Sequence, residues 1–129
     1  MLIEKNKYMQ KHINYTNRKI KDLVGANYNP RKLTTKQYKD LRRSIEKFGL
    51  VDPIIINSDN TVIGGHQRLR ILKELYKSED SVAVVELNLI KEEERELNVR
   101  LNKNTGEFDF DLLANNFDIE ELHSWGFDD

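Results

Sequence analysis

Between residues 34 and 48 the apolar positions Tyr38, Leu41, Ile45 and Phe48 recur at spacings of three, four and three, which places them on one stripe of a helix. Lys36, Lys39, Arg42, Arg43 and Lys47 fall mostly on the opposite, outward side. The ends of this helix are marked as well. Thr34 is a suitable N-cap, Gln37 three residues on completes a capping box, and Leu33 with Tyr38 has the spacing of a hydrophobic staple. Gly49 is the expected stop.

Other segments follow a strand period or a second helical one. Residues 12–16 alternate as a short strand, and Ile20 with Leu23 is expected to open the packed core. Residues 51–56 predict a strand with Pro53 near its start. Ser58-Asp59-Asn60 supplies the turn to a second strand over 61–63, so a hairpin is expected. From His66 to Tyr76 the period becomes helical, with Leu69, Leu72 and Tyr76 on one face and Ile71 with Leu75 beside it. Residues 82–89 are β-branched and apolar enough for a buried strand. Residues 91–101 predict a charged helix with Leu97 and Leu101 one turn apart, and 109–117 and 118–125 predict short terminal helices. The fold class is therefore α+β: a small mixed β-sheet flanked by helices, with short C-terminal helices. At 129 residues this is one domain, assigned to 13–125, with a leader at 1–12 and a tail at 126–129.

Composition narrows the chemistry. The chain has no cysteine, which excludes disulfides, thiolate zinc sites and thiol nucleophiles. No apolar run approaches the roughly 18 residues that span a bilayer, and the first residues lack the apolar core of a signal peptide, so a cytoplasmic protein with no membrane partner is expected. The net charge of −1 conceals a polarised chain. Residues 1–47 hold 13 Lys and Arg against 4 Asp and Glu, whereas residues 48–129 hold 8 against 18. A basic half attracts phosphates or nucleic acid, although a charged face is as often simply solvated. From Thr105 onward there are eight acidic residues and no Lys or Arg, a segment suited to folding back on the basic half or to facing a partner.

One turn gathers the candidate chemistry. Gly64-Gly65-His66-Gln67-Arg68 stands where a predicted strand passes into a predicted helix. Glycine permits positive φ and close backbone approach, and a helix start offers unpaired N–H groups at the positive end of its dipole. Arg68 in the first turn adds a bidentate, charge-assisted partner for phosphate, and His66 and Gln67 add donors. Glycines at a strand-to-helix turn also serve tight geometry alone, and no Gly-Lys-Ser/Thr follows, so the P-loop pattern is absent. Asn27-Tyr28-Asn29-Pro30-Arg31 is turn-rich and delivers Arg31 towards the first helix.

In order along the chain, Asn29-Pro30-Arg31, Ser44-Ile45-Glu46-Lys47-Phe48-Gly49-Leu50, Asp52-Pro53-Ile54-Ile55-Ile56 and Val62-Ile63-Gly64-Gly65-His66-Gln67-Arg68 resemble the ParB/sulfiredoxin superfamily. The resemblance spans roughly 13–125 and is most specific between 29 and 72. It is nearest to the ParB N-terminal-like (ParB-like nuclease) domains of phage and mobile elements, often found beside DNA methyltransferases. It implies that Arg31 and the box from Gly64 to Arg68 bind nucleotide phosphates, with a nucleoside triphosphate (CTP or ATP) and magnesium as cofactors. Partition proteins carry an acidic residue before an asparagine in a third box that helps hold metal and triphosphate. The corresponding place here reads Leu101-Asn102-Lys103-Asn104, so the acid is missing while Asn102 and Lys103 remain available to phosphate. That departure favours binding over hydrolysis. Sulfinic acid repair is excluded, because sulfiredoxin, which is similar at this turn, needs a cysteine inside it, near the place where His66 stands.

Three functional classes follow. The first is a nucleotide-phosphate-binding module in DNA partition, modification or regulation, with DNA, a DNA methyltransferase or another phage protein as partner and a homodimer as a compatible state. The second is an enzyme, a DNA nuclease or nucleotide-dependent phosphotransferase. His66 and Glu46 would be its catalytic candidates, with Asp52, Asp109 and Asp111 as further carboxylates and no metal-ligand spacing among them. The third is an adaptor with a vestigial pocket.

Overall fold

The computed structural model of the chain describes residues 13–26, 32–104 and 120, the side chains of 102–104 excepted. The leader, Arg31 and its turn, and, apart from Glu120, the expected terminal helices over 109–117 and 118–125, with Asp109 and Asp111, lie outside the described residues.

Among the described residues four strands form one mixed sheet. They are β1 (Asn14–Lys19), β2 (Ile54–Asn57), β3 (Val62–Gly64) and β4 (Ser81–Leu87), in the order β1-β4-β2-β3. β1 runs antiparallel to β4, β4 parallel to β2, and β2 antiparallel to β3. A single turn of 3-10 helix, Ile20–Asp22, follows β1; the helices are α1 (Thr35–Phe48), α2 (His66–Leu75) and α3 (Lys91–Asn104). The parallel pair requires a crossover, and the chain between β2 and β4 supplies it through β3 and α2.

The expected α1 forms with its local signals intact. Thr34 accepts from the Gln37 backbone N–H at 3.2 Å while the Gln37 side chain accepts from the Thr34 N–H at 2.9 Å. Gly49 ends the helix at φ 82, a left-handed value that glycine adopts without a Cβ penalty. Ile45 is buried, and Tyr38 and Leu41 pack against the core. Phe48, assigned to the same stripe, is instead 65% exposed, with the Lys47 ammonium over its ring. The last turn of α1 overhangs the core, so periodicity alone misplaces its final residue.

The core joins Ile45, Leu69, Ile71 and Leu72 of the helices to Ile54, Ile56, Val62 and Val84 of the sheet, closed at one end by Ile20 and Leu23. Burying each such side chain contributes about 1.5–3 kcal/mol relative to exposure. Several boundaries differ from expectation. β1 extends to Lys19, beyond the alternating segment, because pairing with β4 supplies its ladder. β2 begins at Ile54, three residues later than expected, and Val51 is 73% exposed because the segment before Pro53 bridges α1 to the sheet. The strand expected over 82–89 is the interior β4, Ser81–Leu87, yet only Val84 is fully buried in it. Tyr76 caps the C-terminus of α2 and is exposed.

Among the described residues no helix is long and apolar enough to cross a membrane.

Candidate phosphate-binding turn

β3 passes directly into α2 through Gly64 and Gly65. Gly65 is the N-cap of α2 at φ 99, ψ 26, and makes no side-chain cap hydrogen bond of its own. The N-cap residue itself thus offers the first-turn N–H groups no side-chain acceptor, and the positive end of the helix dipole stands behind them. A Cβ on Gly65 would lie 3.2 Å from Ile54 Cγ1 and 3.3 Å from Arg68 Nη1. Positive φ and close approach both require glycine at this position.

Gly64 faces the other way. A Cβ there would lie 3.2 Å from Leu101 Cδ1 and 3.5 Å from Ile55 Cδ1. Its missing side chain lets α3 approach the sheet, so a ligand would meet Gly64 only through its backbone.

Arg68 folds back over Gly65, and its Nη2 donates to Asp52 Oδ2 at 2.6 Å. The arginine side chain is 27% exposed and the aspartate 69%. Asp52 was a candidate base; here it is the ion-pair partner of the arginine assigned to phosphate.

His66 Nε2 accepts from the Ala26 backbone N–H at 3.2 Å. That bond places the imidazole proton on Nδ1. Burial lowers the His66 pKa from its ordinary value, so the neutral form is favoured. Val24 pairs with the edge of β3, donating to Asn60 O at 3.0 Å and accepting from the Val62 N–H at 2.8 Å. The chain thus enters the Asn27–Arg31 stretch from a point pinned beside α2. Gln67 is half-buried in the same first turn.

Glu46 lies on the exposed side of α1, paired with Arg42 at 2.9 Å. Arg42 also bonds Glu74, eight residues along α2 from His66. Among the described residues no hydrogen bond or ion pair joins Glu46 to His66, and no three of His, Asp and Glu gather as a metal site.

A buried polar network behind the turn was not foreseen. Glu94, Asn98 and Asn57 are 0%, 2% and 3% exposed. Asn57 Nδ2 donates to Glu94 Oε1 at 2.8 Å and to Leu89 O at 3.0 Å, and Lys91 Nζ bridges Glu94 Oε1 at 3.0 Å to Asp59 Oδ2 at 2.9 Å. Asp59, held by Lys91 and Thr61, has its pKa lowered to about 2. Asn98 Nδ2 donates to Ile63 O at 2.9 Å. These bonds fix α3 against the β2–β3 hairpin, and Asn102 and Lys103 follow one turn beyond Asn98 in the same helix. The periodicity held a signal for this: positions 94, 97, 98 and 101 form one stripe, in which Leu97 and Leu101 were recognised and their polar neighbours were not.

A four-stranded mixed sheet with helices around it, and a glycine turn where a strand meets a helix, defines an α+β domain. Residues 4–105 match the ParB N-terminal domain family, and the chain belongs to it. It is 30% identical over 88 residues to the ParB-like nuclease domain-containing protein YnaK of Escherichia coli (strain K12), covering 68% of this chain and 99% of that protein. Its fold is similar to that of the C-terminally truncated chromosome-partitioning protein ParB from Caulobacter crescentus, complexed with CTP-gamma-S, at a TM-score of 0.64 and 16% identity, covering 89% of this chain and 72% of that one. It is similar also to a Pnob8-like ParB-N domain, at a TM-score of 0.55 and 21% identity over 73% of this chain. There the match spans only 38% of the other chain.

Proposed function

We propose that the chain is a nucleotide-phosphate-binding module acting in DNA partition, modification or regulation. One observation carries this: the start of α2 behind a positive-φ glycine N-cap, Gly65, with the Arg68 guanidinium laid over it. The backbone donors, helix dipole and fixed arginine suit the phosphates of a nucleoside triphosphate, CTP or ATP with magnesium. His66 presents Nδ1–H as a further donor, and Gln67 and the backbone of Gly64 complete the first turn. Arg31, Asn102 and Lys103 are the further phosphate contacts proposed. Support also comes from the ParB domain of the same fold crystallised with CTP-gamma-S.

Leu101 stands where partition proteins carry an acid, and its side chain packs against Gly64. This favours binding without rapid hydrolysis. Calorimetric titration with CTP, ATP and GTP in the presence of magnesium tests the reading. Saturable binding weakened at least tenfold by Arg68→Ala is expected, since a charge-assisted contact contributes about 1.5–3 kcal/mol. Absence of binding to all three, or binding indifferent to Arg68→Ala, overturns it.

A second reading, a metal-dependent nuclease, is favoured by the relative named as a ParB-like nuclease domain protein, matched over nearly its full length. Metal-dependent cleavage of DNA that is lost in His66→Ala would select it.

A further inference from the structure

Arg68 is the only arginine in the first turn of α2, and its guanidinium has two terminal nitrogens with different surroundings. Nη2 is bonded to Asp52 Oδ2 at 2.6 Å; Nη1 lies against Gly65, 3.3 Å from where a Cβ would stand. An arginine side chain loses about 2 kcal/mol of rotamer freedom when held in one place, so a free Arg68 would sample many positions. Asp52 holds it in one. The aspartate is itself set in place: it follows the turn in which the Val51 N–H donates to Gly49 O at 3.0 Å, and it precedes Pro53, which restricts its backbone to the extended region. The carboxylate therefore grips one end of the guanidinium from the α1–β2 connection and leaves the other end over the glycine cap.

Resting on the nucleotide-phosphate reading of this turn, we infer that Asp52 is a positioning residue: it pre-orients the Arg68 guanidinium over the glycine-capped start of α2, so that Nη1 meets an incoming phosphate without reorganisation. The bond also explains how a guanidinium stays folded against the start of its own helix, where the dipole disfavours a cation. The Asp52 carboxylate is mostly in water, so it adds little to the stability of the fold, and its contribution lies in order at the site. The opposite role is chemically distinct: a carboxylate that must be expelled from Arg68 before phosphate enters would weaken binding in the native protein.

Binding of CTP with magnesium, measured by calorimetry for the full chain and for Asp52→Ala, Asp52→Asn, Arg68→Ala and the Asp52→Ala/Arg68→Ala double variant, separates these roles, with melting temperatures confirming that each variant is folded. Asp52→Ala is expected to weaken binding on the order of tenfold. Asp52→Asn, whose amide oxygen still accepts from Nη2, should remain within about threefold of the native chain, and Asp52→Ala should add nothing in the Arg68→Ala background. Tighter or equal binding in Asp52→Ala overturns the inference, as does an Asn variant as weak as the Ala one or an effect that persists without Arg68, while leaving the nucleotide reading intact. Failure of the native chain to bind, or indifference to Arg68→Ala, removes that reading and the inference together.

Discussion

Asn98 on α3 donates its side-chain amide to the carbonyl of Ile63 at 2.9 Å, in the residue immediately before the glycine turn. Both groups are buried, so the bond ties a helix rich in charge to the strand that delivers Gly64 and Gly65. Removing the donor strands a buried carbonyl. Asn98→Ala should cost about 1–3 kcal/mol in urea denaturation. A loss within experimental error of zero would show that α3 is held by other contacts.

Glu94 is the charged member of the same arrangement, with Asn57 and Lys91 on one carboxylate oxygen. Glu94→Gln keeps the shape and an acceptor; Glu94→Ala leaves a cavity and removes a partner from the Asn57 amide. The Ala variant should be the less stable of the two by at least about 1 kcal/mol. Equal stabilities would mean that the charge, and not the packing and hydrogen bonding, decides.

Gly65 combines φ 99 with the close approach of Ile54. Gly65→Ala is expected to destabilise the fold by about 1–3 kcal/mol, from left-handed backbone strain and contact with Ile54. Gly25, whose Cβ would meet nothing within 4 Å and whose φ is not left-handed, is the matched control. Comparable losses at both positions would remove the special status of the turn.

The pH dependence follows from His66. Its folded pKa is depressed by burial, so above the unfolded value near 6.5 both states are neutral and the full stability is present. As pH falls through that value the unfolded chain takes up the proton first, and the folded state loses stability until its own lower pKa is passed. Protonation also turns Nε2 into a donor facing the Ala26 N–H. Melting temperatures measured from pH 7.5 to 5 should therefore drop more for the native chain than for His66→Gln, in which an amide oxygen replaces Nε2. Parallel profiles would assign the acid lability to other groups.

The parts of this protein readable in the chain alone are those in which neighbours decide the outcome. The span of α1 rests on the Thr34–Gln37 box and the left-handed Gly49, interactions closed within four residues. The handover from β3 to α2 is likewise local, because two glycines between a β-branched run and a helical period leave few other conformations. The family boxes mark the same places. Tertiary structure decided the rest. It placed β4 between β1 and β2, since strand order depends on partners up to 72 residues apart. It buried Glu94 and Asn98, whose polarity marks them for the surface until Asn57, Lys91 and the Ile63 carbonyl are brought to meet them. It also paired Arg68 with Asp52, 16 residues away. The type of residue at the turn was legible because each side chain carries its own chemistry. Its orientation was not, because the acceptor that fixes it arrives only when α1 and α2 pack on one sheet.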